Sequence, residues 1–512
     1  MCGLLAAMAF ALLSAEMASA QFQVNFQVDD ALATTALGPE RVGPMNDAVG
    51  RVKNFFENAL DGSAAVLPVP LLWTPSDSPN AIADASGPIA FYSWSVVRNR
   101  LESIAETGNE PVGELLVYQS LPPQSVPFRW DAGDAVARQA TQCGLTFAQA
   151  QQLQFNPAPP GAGELRIRVR PPGQTLPSGN VLRWQFWRGP LRAGHQRFDA
   201  VMVHEVLHLL GYVSATETLA APGWLSVMDT YRFADSTFPI GAGSFLSQDR
   251  ELRPTVDTSL STRLNASVGS GQFFMSRGTR AGGDGNQGSH FRAANRLTPP
   301  EPIGVMDPSI EGSPDQRIAS ASRADLVVLD LLGWVIEPSA VSLQIAATPP
   351  LTPGPLEPQA DARLRTRTPT FTWLDTTTNS QFYAINIFRG PDPDTSPDVD
   401  PLTFDRIFGS SFTVPDSHAL APGVYTYDLI GCPNEIGYYS GGYRTFVILC
   451  PADFDGDTLV GVSDIFAFLS AWFAGCSAAS DPPCSPSADF NQDGLVDVTD
   501  IFAFLSQWFS GC

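Results

Sequence analysis

Residues 453–512 spell one unit twice, 36 positions apart: DFDGDTLVGVSDIFAFLSAWFAGC from Asp453 to Cys476, and DFNQDGLVDVTDIFAFLSQWFSGC from Asp489 to Cys512. A repeat this close requires a paired module, each half an oxygen-rich loop followed by one apolar helix. Asp453, Asp455, Asp457 and Asp464 occupy loop positions one, three, five and twelve, as do Asp489, Asn491, Asp493 and Asp500. That is calcium-loop spacing, with the carbonyls of Leu459 and Leu495 at position seven and Asp497 at position nine of the second copy. Thr458 stands at the sharp turn where the second copy has Gly494, so the first site is expected to be weaker or strained. The repeated Ile-Phe-Ala-Phe-Leu-Ser-x-Trp-Phe either packs the two helices together or presents an apolar face to a partner.

The remaining chain is too long and too apolar for a single small fold. Its 512 residues are 44% hydrophobic and 16% charged, which supports several domains with real cores and excludes wholesale disorder. The net charge of −22 makes nucleic acid and anionic lipid unsuitable partners. The acid is concentrated in residues 451–512, with nine Asp and no Lys or Arg, as expected where divalent cations bind. Met1–Ala20 reads as a secretory signal peptide with an Ala18-Ser19-Ala20 end, although no Lys or Arg precedes its apolar run and an uncleaved anchor stays open. No later run reaches the roughly 20 apolar residues of a membrane span. The expected location is therefore secreted or extracellular, with retention at the cell surface left open. Five of the seven cysteines lie from Cys432 onward, which suits disulfide-stapled exported modules, and Cys143 reads as a buried thiol.

Residues 21–336 read as one mixed domain of helix and strand, and 337–360 as a Pro-rich linker. Residues 361–449 alternate in short apolar segments, such as Pro369–Trp373, Phe382–Phe388 and Val424–Ile430, which predicts a small all-β sandwich acting as a spacer. Residues 450–512 form the repeat module.

The strongest chemical signal is Phe198-Asp-Ala-Val-Met-Val-His204-Glu205-Val-Leu-His208-Leu-Leu-Gly211. On a helix, His204 and His208 share one face and can grip one zinc ion. Glu205 projects beside them, where a carboxylate can take a proton from metal-activated water and return it to a leaving amine. Asp199 is expected to cap the helix start, and Gly211 to end the helix in a left-handed turn. Three residues beyond Gly211 stands Ser214, a poor ligand, so either the site is dead or a third ligand comes from elsewhere. Of the other histidines, His418 falls in the sandwich and His195 immediately precedes the helix. His290 remains, in Gly288-Ser289-His290-Phe291, followed sixteen residues later by Met306 in Gly304-Val-Met306-Asp307-Pro308.

This arrangement resembles the leishmanolysin family of metzincin-type zinc proteases, over roughly residues 85–336. There an insertion separates the helix glycine from a distant histidine and a Met-turn follows; Ile318–Trp334 looks like the family's closing helix with its terminal Gly333-Trp334. The resemblance implies a zincin-type α+β domain, with His204, His208 and His290 as zinc ligands, Glu205 as general base and acid, and Met306 as the apolar floor. Met228 is the second candidate for that floor. The sequence lacks the family's many cysteines and has no long propeptide, so a bacterial secreted relative is the nearer picture. The region 361–449 resembles fibronectin type III modules, and the tail is similar to dockerins, which implies a cohesin-like or cell-surface partner. The expected activity is zinc-dependent cleavage of protein or peptide substrates. The competing reading is a non-catalytic adhesion protein with a degenerate protease-like domain and a calcium-binding tail. A serine hydrolase would need a Gly-x-Ser-x-Gly elbow, which is missing.

Overall fold

The computed structural model describes residues 22–511, apart from 61–64, 76–80, 108–111, 162, 177–178, 219, 238–241, 262–271, 294–295, 297–302, 309–321, 338–352, 375–379, 396–398, 458, 476–486 and 492. The signal segment, Thr458 and the cysteines at 476, 484 and 512 lie outside the described residues. Cys450 is disulfide-bonded and Cys143 is a buried free thiol. The fold is mixed α/β. Among the described residues no helix is long and apolar enough to cross a membrane.

The described residues divide into two compact units. The first draws on Met1–Phe186, Gly194–Pro349 and Asn434–Gly437, and the second on Trp187–Ala193, Pro350–Pro433 and Tyr438–Cys512. The exchanged segments 187–193 and 434–437 depart from the expected boundaries at 336 and 361. They carry no periodic pattern, and long-range partners decide where they go: Asn386 Nδ2 donates to the Arg188 carbonyl (2.6 Å), and Arg188 Nε pairs with Asp405 at 3.1 Å.

In the first unit a four-stranded sheet runs in the order Gln23–Val28, Val66–Leu72, Arg166–Val169, Ala83–Ser86. The first three strands are parallel neighbours, and Ala83–Ser86 closes the edge in antiparallel register, Ala83 opposite Val169. Alternation places Val24, Leu67, Val69, Leu71, Ile167 and Val169 in the core. Helix Pro39–Ala59 starts with a proline, whose fixed φ suits a first turn. It buries Met45, Ala48, Val49, Val52, Phe55, Phe56 and Ala59, a 3.6-residue stripe. That helix packs on helix Phe198–Leu209, which in turn lies against the edge strand Ala83–Ser86. Helix Phe198–Leu209 is mostly apolar around its circumference apart from Asp199 and the face that carries His204, Glu205 and His208, and every residue but His208 is buried.

The closing helix, Arg323–Leu331, begins with a capping box between Ser322 and Asp325. Gly333 then turns the chain at φ +94°, and the Trp334 indole donates to the Leu210 carbonyl at 2.8 Å. The Gly-Trp pair thus ties the end of one helix to the end of the other.

In the second unit a three-stranded sheet (Gly354–Glu357, Thr370–Leu374, Ser411–Thr413) and a five-stranded sheet share one core. Phe371 and Trp373 of the first face Tyr383, Ile385, Tyr427, Leu429 and Phe446 of the second. The strand Gly354–Glu357 lies within the expected linker, 337–360. Its one proline, Pro355, is tolerated because the strand pairs on one side alone, at a sheet edge. The tail contributes helices Val462–Phe473 and Val498–Ser510, one after each repeat loop. Phe468 and Phe504 stack between them at 4.3 Å, and Phe454 and Phe490 pack edge-on.

Candidate metal centre

Four-residue spacing puts His204 and His208 on one face of helix Phe198–Leu209, with ring centroids 4.9 Å apart. Each ring is fixed from behind by a carbonyl: Val305 O lies 2.7 Å from His204 Nδ1, and Tyr212 O lies 2.7 Å from His208 Nδ1. A carbonyl accepts and cannot donate, so both Nδ1 atoms carry the proton and both Nε2 atoms present lone pairs. Burial holds both imidazoles neutral. It pulls the His204 pKa down to about 3, helped by His208, and lowers that of His208.

His290 arrives from a loop 82 residues beyond His208 in the chain. Its backbone is pinned on both sides: its N–H donates to Gln287 O and its carbonyl accepts from Ser276 N, each at 3.0 Å, and neighbouring Phe291 donates to Met306 O. His290 Nε2 lies 2.9 Å from His204 Nε2 and 3.2 Å from His208 Nε2. Burial, then the two other rings, lower its pKa well below the usual value. One proton on His290 Nε2 can serve at most one of the two lone pairs aimed at it, whereas a cation serves all three nitrogens. Ligand nitrogens about 2.0–2.1 Å from a tetrahedral ion lie roughly 3.3 Å apart, close to the spacing here. The three histidines can hold a metal ion.

Glu205 is buried next to this cluster. Burial first, then the charge of Asp84, pushes its carboxyl up to about 8, against the N–H of Ala85, which favours the charged form. A cleft of about 940 Å³ opens over the cluster, between edge strand Ala83–Ser86 on one side and His204, Glu205, His208 and His290 on the other. An extended chain laid there would meet a sheet edge, where Glu205 already engages the Ala85 N–H, alongside a metal-binding cluster.

The turn out of the helix follows from Gly211, at φ +121°; a Cβ there would come within 3.1 Å of the Gln149 side chain. Ser214 faces Asp229 and not the histidines, its hydroxyl donating at 2.6 Å. Met306 is buried in the turn whose Val305 carbonyl orients His204, while Met228 is buried in the short 3-10 helix Met228–Tyr231. Asp199 does not cap the helix. Arg197 occupies that position without a side-chain capping bond, because the helix begins at Phe198, two residues too early for Asp199 to be its cap, and Asp199 Oδ1 takes the N–H of Ala200. Sequence reasoning also missed Asp325, whose Ser322-x-x-Asp325 capping pattern is legible and whose reach to the Met306 turn is not.

In the tail, Asp453, Asp455 and Asp457 converge and can hold a metal ion. Asp464 places its two oxygens on the N–H groups of Asp455 (3.0 Å) and Gly461 (2.7 Å). Asp500 does the same for Phe490, Asn491 and Asp497. Asp489 accepts the N–H groups of Asp493 and Gly494, and Asp493 accepts that of Leu495. Leu459 likewise donates to Asp457. Asp497 caps its helix through Thr499. Of the repeated aromatics, Phe468 and Phe504 are interior and pack the two helices together, whereas Phe466, Phe473, Phe502 and Phe509 are 67%, 79%, 68% and 77% exposed.

No protein-family model matches the chain, and no curated protein matches it. The three-histidine cluster, the adjacent carboxyl and the cleft are therefore the ground on which a function is argued.

Proposed function

We propose that the chain is a secreted zinc-dependent endopeptidase of leishmanolysin-like type, with a fibronectin III-like sandwich and a dockerin-like, calcium-binding tail. The observation that carries the reading is the convergence of three neutral imidazole nitrogens beside a buried carboxyl in an open cleft. The donor set favours zinc, because neutral nitrogen ligands in a compact tetrahedral arrangement suit that ion and suit calcium or magnesium poorly. Ser214 loses its weight as a sign of degeneracy, since its hydroxyl is engaged with Asp229 and a third histidine comes from position 290.

His204, His208 and His290 hold the ion. When bound, zinc supplies Lewis acidity, which acidifies water and polarises a peptide carbonyl. Glu205 moves the proton, accepting it from the attacking water and delivering it to the leaving nitrogen. A carboxyl raised toward neutrality by burial suits both halves of that exchange. Edge strand Ala83–Ser86 offers backbone groups to an extended substrate. No covalent enzyme intermediate is needed. In the tail, Asp453, Asp455 and Asp457 begin the first calcium loop, and the exposed phenylalanines form a face for a protein partner such as a cohesin-like domain.

The test is hydrolysis of casein by the full chain, beside Glu205→Gln and a zinc chelator. Activity that both controls abolish supports the reading. A folded chain with stoichiometric zinc and no hydrolysis of any protein substrate would favour an adhesion role.

A further inference from the structure

Where a contiguous zinc motif would carry its third histidine, Ser214 begins a chain of buried polar contacts that leads to His290. Ser214 donates to Asp229 Oδ1, and Asp229 Oδ2 accepts the N–H of Ala215 (2.8 Å) and the hydroxyl of Ser226 (2.9 Å). Asp229 Oδ1 lies 3.6 Å from Arg232 Nε, and both side chains are fully buried. The Arg232 guanidinium spans the two strands of chain that flank His290. One terminal nitrogen donates to Ser276 O (3.0 Å) and Thr258 Oγ1 (2.9 Å), and the other donates to Gly288 O.

Gly288 is also held through the peptide on its other side. Its N–H donates to Glu217 Oε1 at 2.8 Å, and Glu217 Oε2 accepts the N–H and hydroxyl of Thr279 at the start of the loop. A Cβ on residue 288 would lie 2.0 Å from Thr216 Oγ1, so this approach requires glycine. Ser276, whose carbonyl Arg232 holds, donates its N–H to His290 O.

We propose that Glu217 and Arg232 are positioning residues for the third metal ligand, clamping the two peptide groups that flank the Gly288 Cα so that His290 Nε2 meets His204 and His208. The proposal rests on the metal reading of the site and goes beyond it. A histidine on a loop, unlike one on a helix, gets no orientation from its own element. The carboxylate and the guanidinium supply that orientation through two charge-assisted contacts, one to the N–H and one to the carbonyl of Gly288. Arg suits this place because a planar fork reaches three acceptors in fixed directions, which an ammonium cannot do.

The test is cobalt(II) titration of the metal-stripped full chain, followed by its visible absorption bands, for wild type, Glu217→Gln, Arg232→Lys and His290→Ala. His290→Ala sets the signature of a lost third ligand. Glu217→Gln and Arg232→Lys are expected to weaken cobalt binding about 10–100-fold and to shift the bands toward that signature, with far-UV dichroism unchanged. Wild-type affinity and wild-type bands in both variants would overturn the proposal. If Arg232→Lys fails to fold, Glu217→Gln decides the matter, since Glu217 is half-buried and its amide variant fills the same space. A wild-type chain that binds no cobalt would overturn the metal reading and the clamp together; a wild type that binds while both variants match it would overturn the clamp alone.

Discussion

Asp325 holds Val305, and Val305 holds His204. Asp325 Oδ2 accepts the Val305 N–H at 2.9 Å, and the carbonyl of the same residue takes the His204 Nδ1 proton at 2.7 Å. The carboxylate also accepts the N–H groups of Met306 (3.2 Å) and Ser322 (2.6 Å) and the Ser322 hydroxyl. Burial raises its pKa while these donors oppose the rise. One side chain thus caps the closing helix and fixes the turn that aims a candidate ligand. Asp325→Asn would turn an amide NH₂ toward backbone N–H groups, which can only donate. The expected loss is on the order of 2–4 kcal/mol in denaturant unfolding. An unchanged midpoint would remove Asp325 from this account.

His290 is the candidate ligand that the helix motif does not contain, so its removal is the sharpest test of the centre. His290→Ala leaves His204 and His208 with two nitrogens and no third protein donor, which a stable zinc site requires. After dialysis the variant should retain well under one zinc per chain by elemental analysis, where wild type retains one. Stoichiometric zinc in the variant would send the search to another donor on the cleft wall.

Legibility in the sequence followed locality. The face shared by His204 and His208, the Ser322–Asp325 capping box and the strand segments near 370, 382 and 424 are short-range patterns, and periods of 3.6 and 2 display them directly. The Arg197 cap was missed because Asp199 has the better capping chemistry and lies in the first turn, not before it. Strand Gly354–Glu357 was hidden by its proline, which an edge position tolerates. The Val305 carbonyl at His204 and the Glu217–Gly288–Arg232 clamp join residues up to 101 positions apart. No local period encodes such pairings; tertiary packing alone creates them.

Asp428 gives the sandwich a pH dependence of defined sign. Its side chain is buried, Oδ1 accepts from Ser440 Oγ at 2.7 Å, and burial pushes the pKa up to about 7 from an ordinary 3.8. Between about pH 4 and pH 7 the native state therefore holds a proton that the unfolded chain releases. Its contribution to stability is complete below pH 4, falls as pH rises and levels off above 7, by roughly 4 kcal/mol at most. Asp428→Asn keeps the neutral shape and should flatten that part of the wild-type slope. Urea midpoints at pH 4.5 and 7.5 for both proteins check this, and equal slopes would show that Asp428 titrates normally.

The tail should fail separately when calcium is removed. Its two helices are strapped reciprocally: Trp472 Nε1 donates to Asp497 O (2.7 Å), the residue before the second helix, and Trp508 Nε1 donates to Gly461 O (2.9 Å), the residue before the first. Both straps end on the loops that bear the clustered carboxylates, so loop geometry and helix packing are one cooperative system. Without a cation, Asp453, Asp455 and Asp457 repel one another at close range. EGTA, with free zinc restored by buffering, should release both indoles, red-shift the tryptophan emission and lower the melting temperature of the tail. Casein hydrolysis should stay within about twofold of its starting rate, because the described residues that line the candidate centre and its cleft lie between Ala81 and Pro308. Hydrolysis that collapses in step with the fluorescence change would show that the tail supports catalysis directly.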